Sequence, residues 1–585
     1  MKFLLLFIVL INFYSFCEPR LAENLKVKID DGQIIGRYMS TISGKGVRSF
    51  IGIPYAAPPV GELRFKAPRK PAPWLDDVLI AQNEPPMCSQ TNIFDRGEKR
   101  DSGQEDCLYL NVYTPNINLT DAAFKKLPIF VWFHGGGWME FHSGHSFYGP
   151  GYLLEHDIIL VTGNYRLGLL GFLSTEDENC PGNFGFKDQH MILEWVQENI
   201  EKFGGDKDSV TIFGESAGGA TVNYLMNSPK SRKLFHRAIS QSGSLMSIWA
   251  EPHRKGLAKE RATKVAKLMG CPVDSSTKKM IECLRNVPAQ KITAAIRDFM
   301  IWDYDPVIQF GAVVEHYGPE EERFIVDSNL DKDSFNIPWM TGVTSEEMIF
   351  KAAGILNSKQ LFNDIVQKWE TLFPMSFCYD HLPEHEIKEI NTAIYDFYFK
   401  SGDFRGNLTK MWSDGCFFNG FIDYLQQRLK SNNHDNTYVY LFSHKGSISF
   451  SEVFGGDPMK YYGTSHLDDL LYLFPMRDSF PHFYNSIPTE DDVKLRKIMT
   501  KLWVDFATTG NPTSNLSKET ELPSWSPATK FPLDYMRIGN ENGNSDKLLE
   551  MKKDLFAKNT QFWINLREKY GLKVWKNENK NKDEL

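Results

Sequence analysis

The chain has 585 residues, of which 42% are apolar, and it carries a formal net charge of -8 at pH 7. The apolar share is enough for a sizeable buried core, whereas the negative charge and the lack of a long basic run argue against nucleic-acid binding. No repeat and no Pro/Gly/Ser-rich linker divides the sequence. We therefore expect one large domain over residues 18–572.

The first residues predict a secretory signal peptide. Lys2 precedes an apolar run from Phe3 to Phe16, which Asn12 interrupts and the polar Glu18 follows. The run is too short for a comfortable membrane span, so we assign residues 1–17 to a cleaved signal, with an uncleaved anchor as the alternative. No later segment is apolar for long enough to predict a transmembrane helix.

A glycine triplet follows the strand predicted over residues 129–132. The apolar run of residues 129–132 predicts a strand, and His134 and Gly135-Gly136-Gly137 come directly after it. Consecutive glycines expose backbone N–H groups, which can stabilise the negative oxygen of a tetrahedral acyl-transfer intermediate. The pattern predicts an oxyanion hole, and a flexible glycine turn is the alternative.

The most informative pattern is the G-x-S-x-G pentapeptide around Ser216. It follows a predicted strand over residues 210–213, and small residues after it open a predicted helix toward Leu225. A strand that turns directly into a helix must bend sharply, and glycines on both sides of the serine permit the bend. The pattern predicts a nucleophilic serine, although a chain with 43 glycines can contain such a pentapeptide by chance.

A serine nucleophile needs a histidine base and an acid that orients the histidine. Residues 337–343 predict a buried strand that exits through Glu346 and Glu347, and residues 438–442 predict a strand that a loop containing His466 follows. The order acid, then histidine is that of α/β-hydrolases. Spacing alone does not choose between the two glutamates or among the 14 histidines.

The last residues predict a location. A Lys/Asn-rich segment begins at Lys573, and the chain ends in Lys582-Asp583-Glu584-Leu585. This tetrapeptide is the signal by which a retrieval receptor returns luminal proteins to the endoplasmic reticulum. We expect residues 573–585 to form a polar tail, the retrieval receptor to be a partner, and the protein to reside in the endoplasmic reticulum lumen.

Longer stretches of the chain resemble the type-B carboxylesterase and cholinesterase family. Residues 203–218 are similar to the family's active-serine signature, and residues 105–112 are similar to its second signature. Further similar stretches are residues 52–56, 164–168, 182–183, 188–189 and 241–243. The resemblance covers nearly the whole chain after the predicted signal. It implies an α/β-hydrolase fold, with a large twisted, mostly parallel sheet flanked by helices and loop insertions that form an active-site gorge.

The resemblance also assigns a catalytic triad. It implies that Ser216 is the nucleophile, Glu347 the acid and His466 the base. Glu347 is favoured over Glu346 because the family's acid is the sixth residue counted from a strand-ending glycine. Met348 stands where many relatives have glycine, so the backbone after the acid is expected to differ from theirs.

The supporting residues follow from the same resemblance. Gly136, Gly137 and Ala217 would provide the oxyanion N–H groups, and Ser242 would steady the Glu–His pair. No metal and no cofactor is implied.

The cysteines and glycosylation sequons fit a luminal protein. The resemblance implies the disulfides Cys88–Cys107 and Cys271–Cys283. The cysteines then left without a partner are Cys180, Cys378 and Cys416. The N-x-S/T sequons begin at Asn118, Asn407 and Asn515.

The function that the resemblance implies is hydrolysis of a small-molecule carboxylic ester through an acyl-enzyme intermediate. A cholinesterase is less favoured because the family's choline site uses a tryptophan inside the first disulfide loop, and residues 89–106 contain none. A lipid-ester-specific hydrolase is a further alternative. So is a non-catalytic adhesion protein of the same fold, which the persistence of all the triad residues disfavours. The sequence predicts no particular oligomeric state.

Overall fold

The computed structural model describes residues 24–94, 101–118, 121, 123–431, 436–514, 522–541 and 547–575. The predicted signal peptide, the C-terminal tetrapeptide and Asn515 lie outside the described residues. Among the residues described, no helix combines the length and the apolar character needed to cross a bilayer.

The strands are short to medium in length, and the longest of them leads to Ser216. They are β1 (Lys26–Ile29), β2 (Gly32–Ile35), β3 (Arg37–Ser40), β4 (Gly46–Pro54), β5 (Trp74–Ile80), β6 (Gln90–Thr91), β7 (Asp101–Ser102), β8 (Tyr109–Pro115), β9 (Leu127–Phe133), β10 (Ile159–Gly163), β11 (Gly205–Glu215), β12 (Arg237–Gln241), β13 (Trp339–Thr344), β14 (Thr437–Phe442), β15 (Asp534–Ile538) and β16 (Leu549–Lys553).

Most strands join one central sheet. Its eleven described strands have the order β16-β15-β14-β13-β12-β11-β9-β10-β8-β4-β3. Neighbours from β10 to β15 run parallel, and the strands outside this run pair antiparallel. Strands buried on both faces are expected to be almost continuously apolar, and β13 and β14 are buried along their whole length. The predicted α/β fold is confirmed.

Helices cover the faces of this sheet. They are α1 (His145–Tyr148), α2 (Gly168–Phe172), α3 (Phe184–Asn199), α4 (Ala217–Asn227), α5 (Leu257–Met269), α6 (Thr277–Arg285), α7 (Ala289–Ala294), α8 (Ile349–Asn357), α9 (Lys359–Ser376), α10 (Glu384–Tyr398), α11 (Phe404–Ser413), α12 (Asn419–Leu429), α13 (Phe450–Val453), α14 (Glu490–Thr509) and α15 (Ala557–Lys569). A π-helical turn, Asp414–Phe418, joins α11 to α12.

The sheet brings the predicted site residues to one edge. The four strands predicted around residues 129–132, 210–213, 337–343 and 438–442 are β9, β11, β13 and β14. They lie within one parallel run, so their carboxyl ends share one edge of the sheet, where parallel folds bind their ligands. Phe130 and Trp132 of β9, Phe213 of the neighbouring β11 and Phe474 form an aromatic cluster in the core.

The structure contains both disulfides, Cys88–Cys107 and Cys271–Cys283. Cys180 and Cys416 are free and buried, and Cys378 is free and exposed. Two sequons lie among the described residues. Asn118 is exposed, whereas Asn407 is half-buried within α11 and its amide donates a hydrogen bond to the carbonyl oxygen of Asp403.

The described fold includes the first three residues of the expected polar tail, 573–575. Lys573 forms an ion pair of 2.7 Å with the buried Asp423, and the indole N–H of Trp575 donates a 2.9 Å hydrogen bond to the carbonyl oxygen of Leu245. A lysine in a Lys/Asn-rich stretch is usually solvated, but Lys573 is paired with the buried carboxylate of Asp423. The composition of the tail cannot predict a partner that lies so far away in the sequence.

Candidate active site

Ser216 lies at a sharp turn between β11 and α4. Its backbone has φ +57° and ψ −123°, a conformation that L-residues rarely adopt. The turn brings the helix so close to the sheet that a Cβ atom on Gly218 would lie 2.0 Å from the carbonyl oxygen of Phe133. The Ser216 N–H donates a 2.8 Å hydrogen bond to the carbonyl oxygen of Gln241 on the next strand. Glycine in the pentapeptide is therefore a steric requirement of the turn.

The glycine triplet forms a tight loop after β9. Gly136 has φ +89°, and a Cβ atom on it would lie 2.2 Å from the carbonyl oxygen of Glu140. The N–H groups of Gly136, Gly137 and Ala217 donate no hydrogen bond to any of the described residues. Ala217 is the first residue of α4, so its N–H has no partner within the helix. All three donors are available to an anionic oxygen.

Glu347 and His466 are joined by a short hydrogen bond. His466 Nδ1 lies 2.6 Å from Glu347 Oε2, and both side chains are buried. The second oxygen, Oε1, accepts a 2.8 Å hydrogen bond from the N–H of Thr344 at the end of β13. A carboxylate accepts rather than donates, so this pairing places a proton on Nδ1 and leaves Nε2 as the basic nitrogen.

The adjacent Glu346 faces the backbone of the histidine loop. Its carboxylate accepts a 2.8 Å hydrogen bond from the N–H of Thr464, and its own N–H donates to the carbonyl oxygen of Thr464 at 3.2 Å. The two glutamates therefore hold the same loop in different ways. Glu346 fixes its backbone, and Glu347 orients the imidazole of His466.

Glu215 and two aromatic rings surround the rest of the imidazole. His466 Nε2 lies 3.1 Å from Glu215 Oε1, without hydrogen-bond geometry. The ring centroids of Phe417 and Phe350 lie 4.9 Å and 5.5 Å from that of His466. No hydrogen bond joins Ser216 to His466 in this structure, although both side chains line the same cavity. Such bonds are often long before substrate binds.

Buried carboxyl groups lie beneath the imidazole. Burial, reinforced by the Asp469 and Glu347 carboxylates, raises the pKa of Glu215 well above its ordinary range. Burial also raises the pKa of Asp469 to about 6, although Gln241 and Tyr440 donate hydrogen bonds to it. Burial and the nearby like charges disfavour ionisation of Glu215, so a neutral Glu215 fits its place beside His466.

The cavity above Ser216 has a volume of about 400 Å³. The residues that line it include Gly136, Gly137 and His466 together with aromatic side chains such as Phe141 and Phe350. A cavity of this size with apolar walls and few polar groups is typical of a small-molecule site. Within the described part of the chain, no group of three His, Cys, Asp or Glu side chains is placed to hold a metal ion.

The structure adds detail to the expectations for Ser242 and Met348. Ser242 is buried at φ +50° and its N–H donates to the carbonyl oxygen of Gly342, but its hydroxyl has no hydrogen-bond partner among the described residues. Met348 has φ −83°, which suits any residue, and its N–H donates a 3.0 Å hydrogen bond to Ser413 Oγ. Glycine is therefore not required after the acid in this chain.

Sequence reasoning missed Glu215, Asp469 and Phe417. Glu215 is the variable residue before the serine in the pentapeptide, and Asp469 follows His466 by three positions. Both are charged residues, which sequence patterns predict to be solvated. Only the structure shows that they are completely buried near His466. Phe417 comes from the π-helical turn, a feature that often marks functional sites and has no sequence signal of its own.

The sequence matches a known family model over most of its length. The family model described as "Carboxylesterase family" matches residues 23–563. Among curated proteins, the juvenile hormone esterase of Tribolium castaneum is 34% identical over 87% of this chain and 87% of its own. The liver carboxylesterase of Sus scrofa is 32% identical over 93% of each chain.

A solved structure has the same fold. The juvenile hormone esterase from Manduca sexta, crystallised with OTFP covalently attached, superposes with a TM-score of 0.78 at 27% sequence identity. The match covers 94% of this chain and 99% of that one.

Proposed function

Because this chain belongs to the carboxylesterase family and is a carboxylic-ester hydrolase, we propose that Ser216, His466 and Glu347 perform the hydrolysis through an acyl-enzyme. The observation that carries the proposal is the 2.6 Å contact between His466 Nδ1 and Glu347 Oε2 at the edge where Ser216 turns. It leaves the basic Nε2 on the side of the imidazole that faces the end of β11.

The first half of the reaction forms the acyl-enzyme. Nε2 of His466 takes the proton of the Ser216 hydroxyl as Oγ attacks the ester carbonyl. Glu347 holds the ring and stabilises the positive charge that develops on it. The alcohol then leaves with the proton from Nε2.

The second half releases the acid. Water gives a proton to Nε2 and attacks the acyl carbonyl, and Ser216 regains its proton as the carboxylic acid departs. In both halves the carbonyl oxygen becomes negative, and the N–H groups of Gly136, Gly137 and Ala217 stabilise it. Loss of one such donor typically costs about 3 kcal/mol of transition-state stabilisation.

A direct test is covalent labelling. A fluorophosphonate should inactivate the protein with one equivalent bound, and mass spectrometry of the proteolysed adduct should place the label on Ser216. With a 4-nitrophenyl ester, a burst of 4-nitrophenol equal to the enzyme concentration would report the acyl-enzyme. A label on any other serine would contradict the proposed nucleophile.

We further propose that the protein resides in the endoplasmic reticulum lumen. Two disulfides support an oxidising compartment, as do the predicted signal peptide and the C-terminal tetrapeptide. Deletion of residues 582–585 should move the esterase activity from cells to medium at unchanged specific activity. Equal secretion of the full-length and shortened proteins would contradict recognition by a retrieval receptor.

A further inference from the structure

The cavity that contains Ser216 is also lined by one face of helix α5. The residues of this helix in the cavity wall are Leu257, Glu260, Arg261 and Lys264. Their spacing of three and four residues places them on one face of the helix. Arg254, just before the helix, lines the cavity as well. Apart from the ion pair of Arg567 with Glu251, the cations in the cavity wall outnumber the carboxylates, which are Glu260 and Asp380.

Arg261 is the cation best placed to bind a ligand. Its NH1 nitrogen donates to the carbonyl oxygen of Gln309 and lies 3.2 Å from His253 Nε2. Its Nε and NH2 nitrogens make no hydrogen bond with the described residues, and no carboxylate of these residues lies within 4.0 Å of the guanidinium. An arginine carries five N–H donors, so most of its capacity is unused.

The electrostatics of Arg261 favour an incoming anion. Burial lowers the pKa of its guanidinium even though Glu260 and Asp380 favour the charged form. Its neighbour His253 contributes no charge, because burial lowers the pKa of that imidazole to about 3. The protein therefore neutralises the positive charge of Arg261 only in part, and an anion bound in the cavity would neutralise the rest.

A second arginine in the same cavity provides the contrast. Arg567 forms a close ion pair with Glu251 and also donates to Asn419 Oδ1 at 3.1 Å and to the carbonyl oxygen of Met246 at 3.3 Å. Its guanidinium is satisfied by the protein and has a structural role. Arg261 lacks such a set of partners.

Apolar side chains line the same cavity. They include Ile308, Met375, Phe377 and Phe417. A ligand that reaches from Ser216 to Arg261 must therefore combine a reactive carbonyl with an apolar chain that suits these walls.

We propose that Arg261 binds the carboxylate of an ester whose apolar chain spans the cavity, so that the enzyme hydrolyses esters that carry a distal negative charge. The proposal rests on the hydrolytic function of Ser216. The NH2 and Nε groups of Arg261 match the two oxygens of a carboxylate in a paired arrangement. The site thus selects a substrate class by charge as well as by apolar length.

The test compares two series of esters. One series is 4-nitrophenyl monoesters of straight-chain dicarboxylic acids, and the other is 4-nitrophenyl esters of monocarboxylic acids of the same lengths. A second arm carries the carboxylate on the alcohol side, as acetyl esters of ω-hydroxy acids and of the matching alkanols. The variants are Arg261→Gln, Arg261→Lys as the charge-retaining control, and Lys267→Gln on an exposed part of the same helix.

We expect Arg261→Gln to lower kcat/KM for carboxylate-bearing esters of one preferred length by about 10-fold or more, mainly through KM. The uncharged esters should change by less than about threefold, Arg261→Lys should restore part of the loss, and Lys267→Gln should resemble the wild type. If the wild type hydrolyses only uncharged esters, or if Arg261→Gln affects both series equally in both arms, the proposal is overturned. If the wild type hydrolyses neither series, the proposed hydrolytic function itself fails.

Discussion

The proposed nucleophile and the proposed base are held in place by different means. Ser216 is positioned by its backbone. The turn at φ +57° and the close approach of Gly218 to β9 fix the path of the chain here. His466 lies 24 residues after the end of β14, and its position is held by the side chains of Glu346, Glu347 and Phe417.

This difference has consequences for mutation. A backbone constraint is stiff, so a change in the turn should disturb folding and catalysis together. A side-chain constraint is divided among several partners, so changes around His466 should have graded effects, and catalysis should be lost without loss of the fold. The predictions below test this division, beginning with the largest expected effect.

Replacement of Ser216 by alanine should abolish turnover without disturbing the turn. Alanine tolerates the same backbone as serine but cannot attack, so kcat should fall by about 10⁴-fold or more. Steady-state kinetics and thermal unfolding of wild type and Ser216→Ala would measure both quantities. Substantial turnover by a folded Ser216→Ala protein would show that another residue is the nucleophile.

The two adjacent glutamates should differ sharply. Glu347→Gln keeps the size of the side chain but favours the wrong imidazole tautomer, so kcat should fall by about 10³-fold or more. In Glu346→Gln the amide oxygen can still accept the Thr464 N–H, and the loss should stay within about 10-fold. The kinetics of the two variants decide the matter. A larger loss in Glu346→Gln would mean that the loop is held differently from this structure.

A methyl group on Gly218 tests the stiffness of the turn. Gly218→Ala places a Cβ atom 2.0 Å from the carbonyl oxygen of Phe133, where only a backbone shift can relieve the clash. We expect the free energy of unfolding to fall by about 3 kcal/mol or more, and activity to be lost with it. Gly256→Ala is the matched control, since its φ is +91° but its Cβ would meet open space.

That control should lose only the cost of a strained backbone, about 1–2 kcal/mol. Urea unfolding of both variants gives the comparison. If the two variants lose the same free energy of unfolding, the close approach of Gly218 to β9 does not constrain the turn. The contrast between a backbone-held serine and a side-chain-held histidine would then be wrong.

The buried Asp469, which lies near His466, should make the stability of the fold depend on pH. Burial raises its pKa from 3.8 to about 6. A carboxyl with a raised pKa holds its proton more firmly in the folded chain, so its stabilising effect is present below pH 3.8 and is lost as the pH rises through about 6.

The wild type should therefore lose about 1 kcal/mol more of its unfolding free energy between pH 5 and pH 8 than Asp469→Asn does. Urea unfolding at the two pH values measures the difference. Parallel pH profiles would show that Asp469 is ionised throughout this range and that Gln241 and Tyr440 stabilise the charge.

The smallest effect is expected at Ser242. Its hydroxyl has no hydrogen-bond partner among the described residues, so Ser242→Ala should change kcat by less than about threefold. A 10-fold or larger loss, with the stability unchanged, would restore the role that the resemblance implies, namely a contact with the Glu–His pair formed during the reaction.

The same division explains what the sequence could predict. Backbone geometry demands glycines at fixed offsets, so the turn at Ser216 and the loop at Gly135–Gly137 leave a local signature. The four strands that carry the site were also predictable, because strands buried on both faces are apolar runs. The resemblance supplied the acid and the base, which local patterns left open.

The rest could not be predicted because it depends on burial and on distant contacts. Glu215 and Asp469 read as ordinary charged residues until the fold encloses them. Arg261 belongs to a helix whose sequence has no relation to the serine motif, and only the fold places its face on the same cavity. Long-range juxtapositions of this kind leave no periodic signal.

The anchored end of the described chain has a practical consequence. Leu572 and Val574 form part of the cavity wall, and Lys573 and Trp575 fasten them to the domain. A purification tag or reporter fused immediately after Leu572 would replace part of the cavity wall. An expression design that keeps the chain intact through Trp575, and adds any fusion beyond it, leaves this wall and its anchors in place.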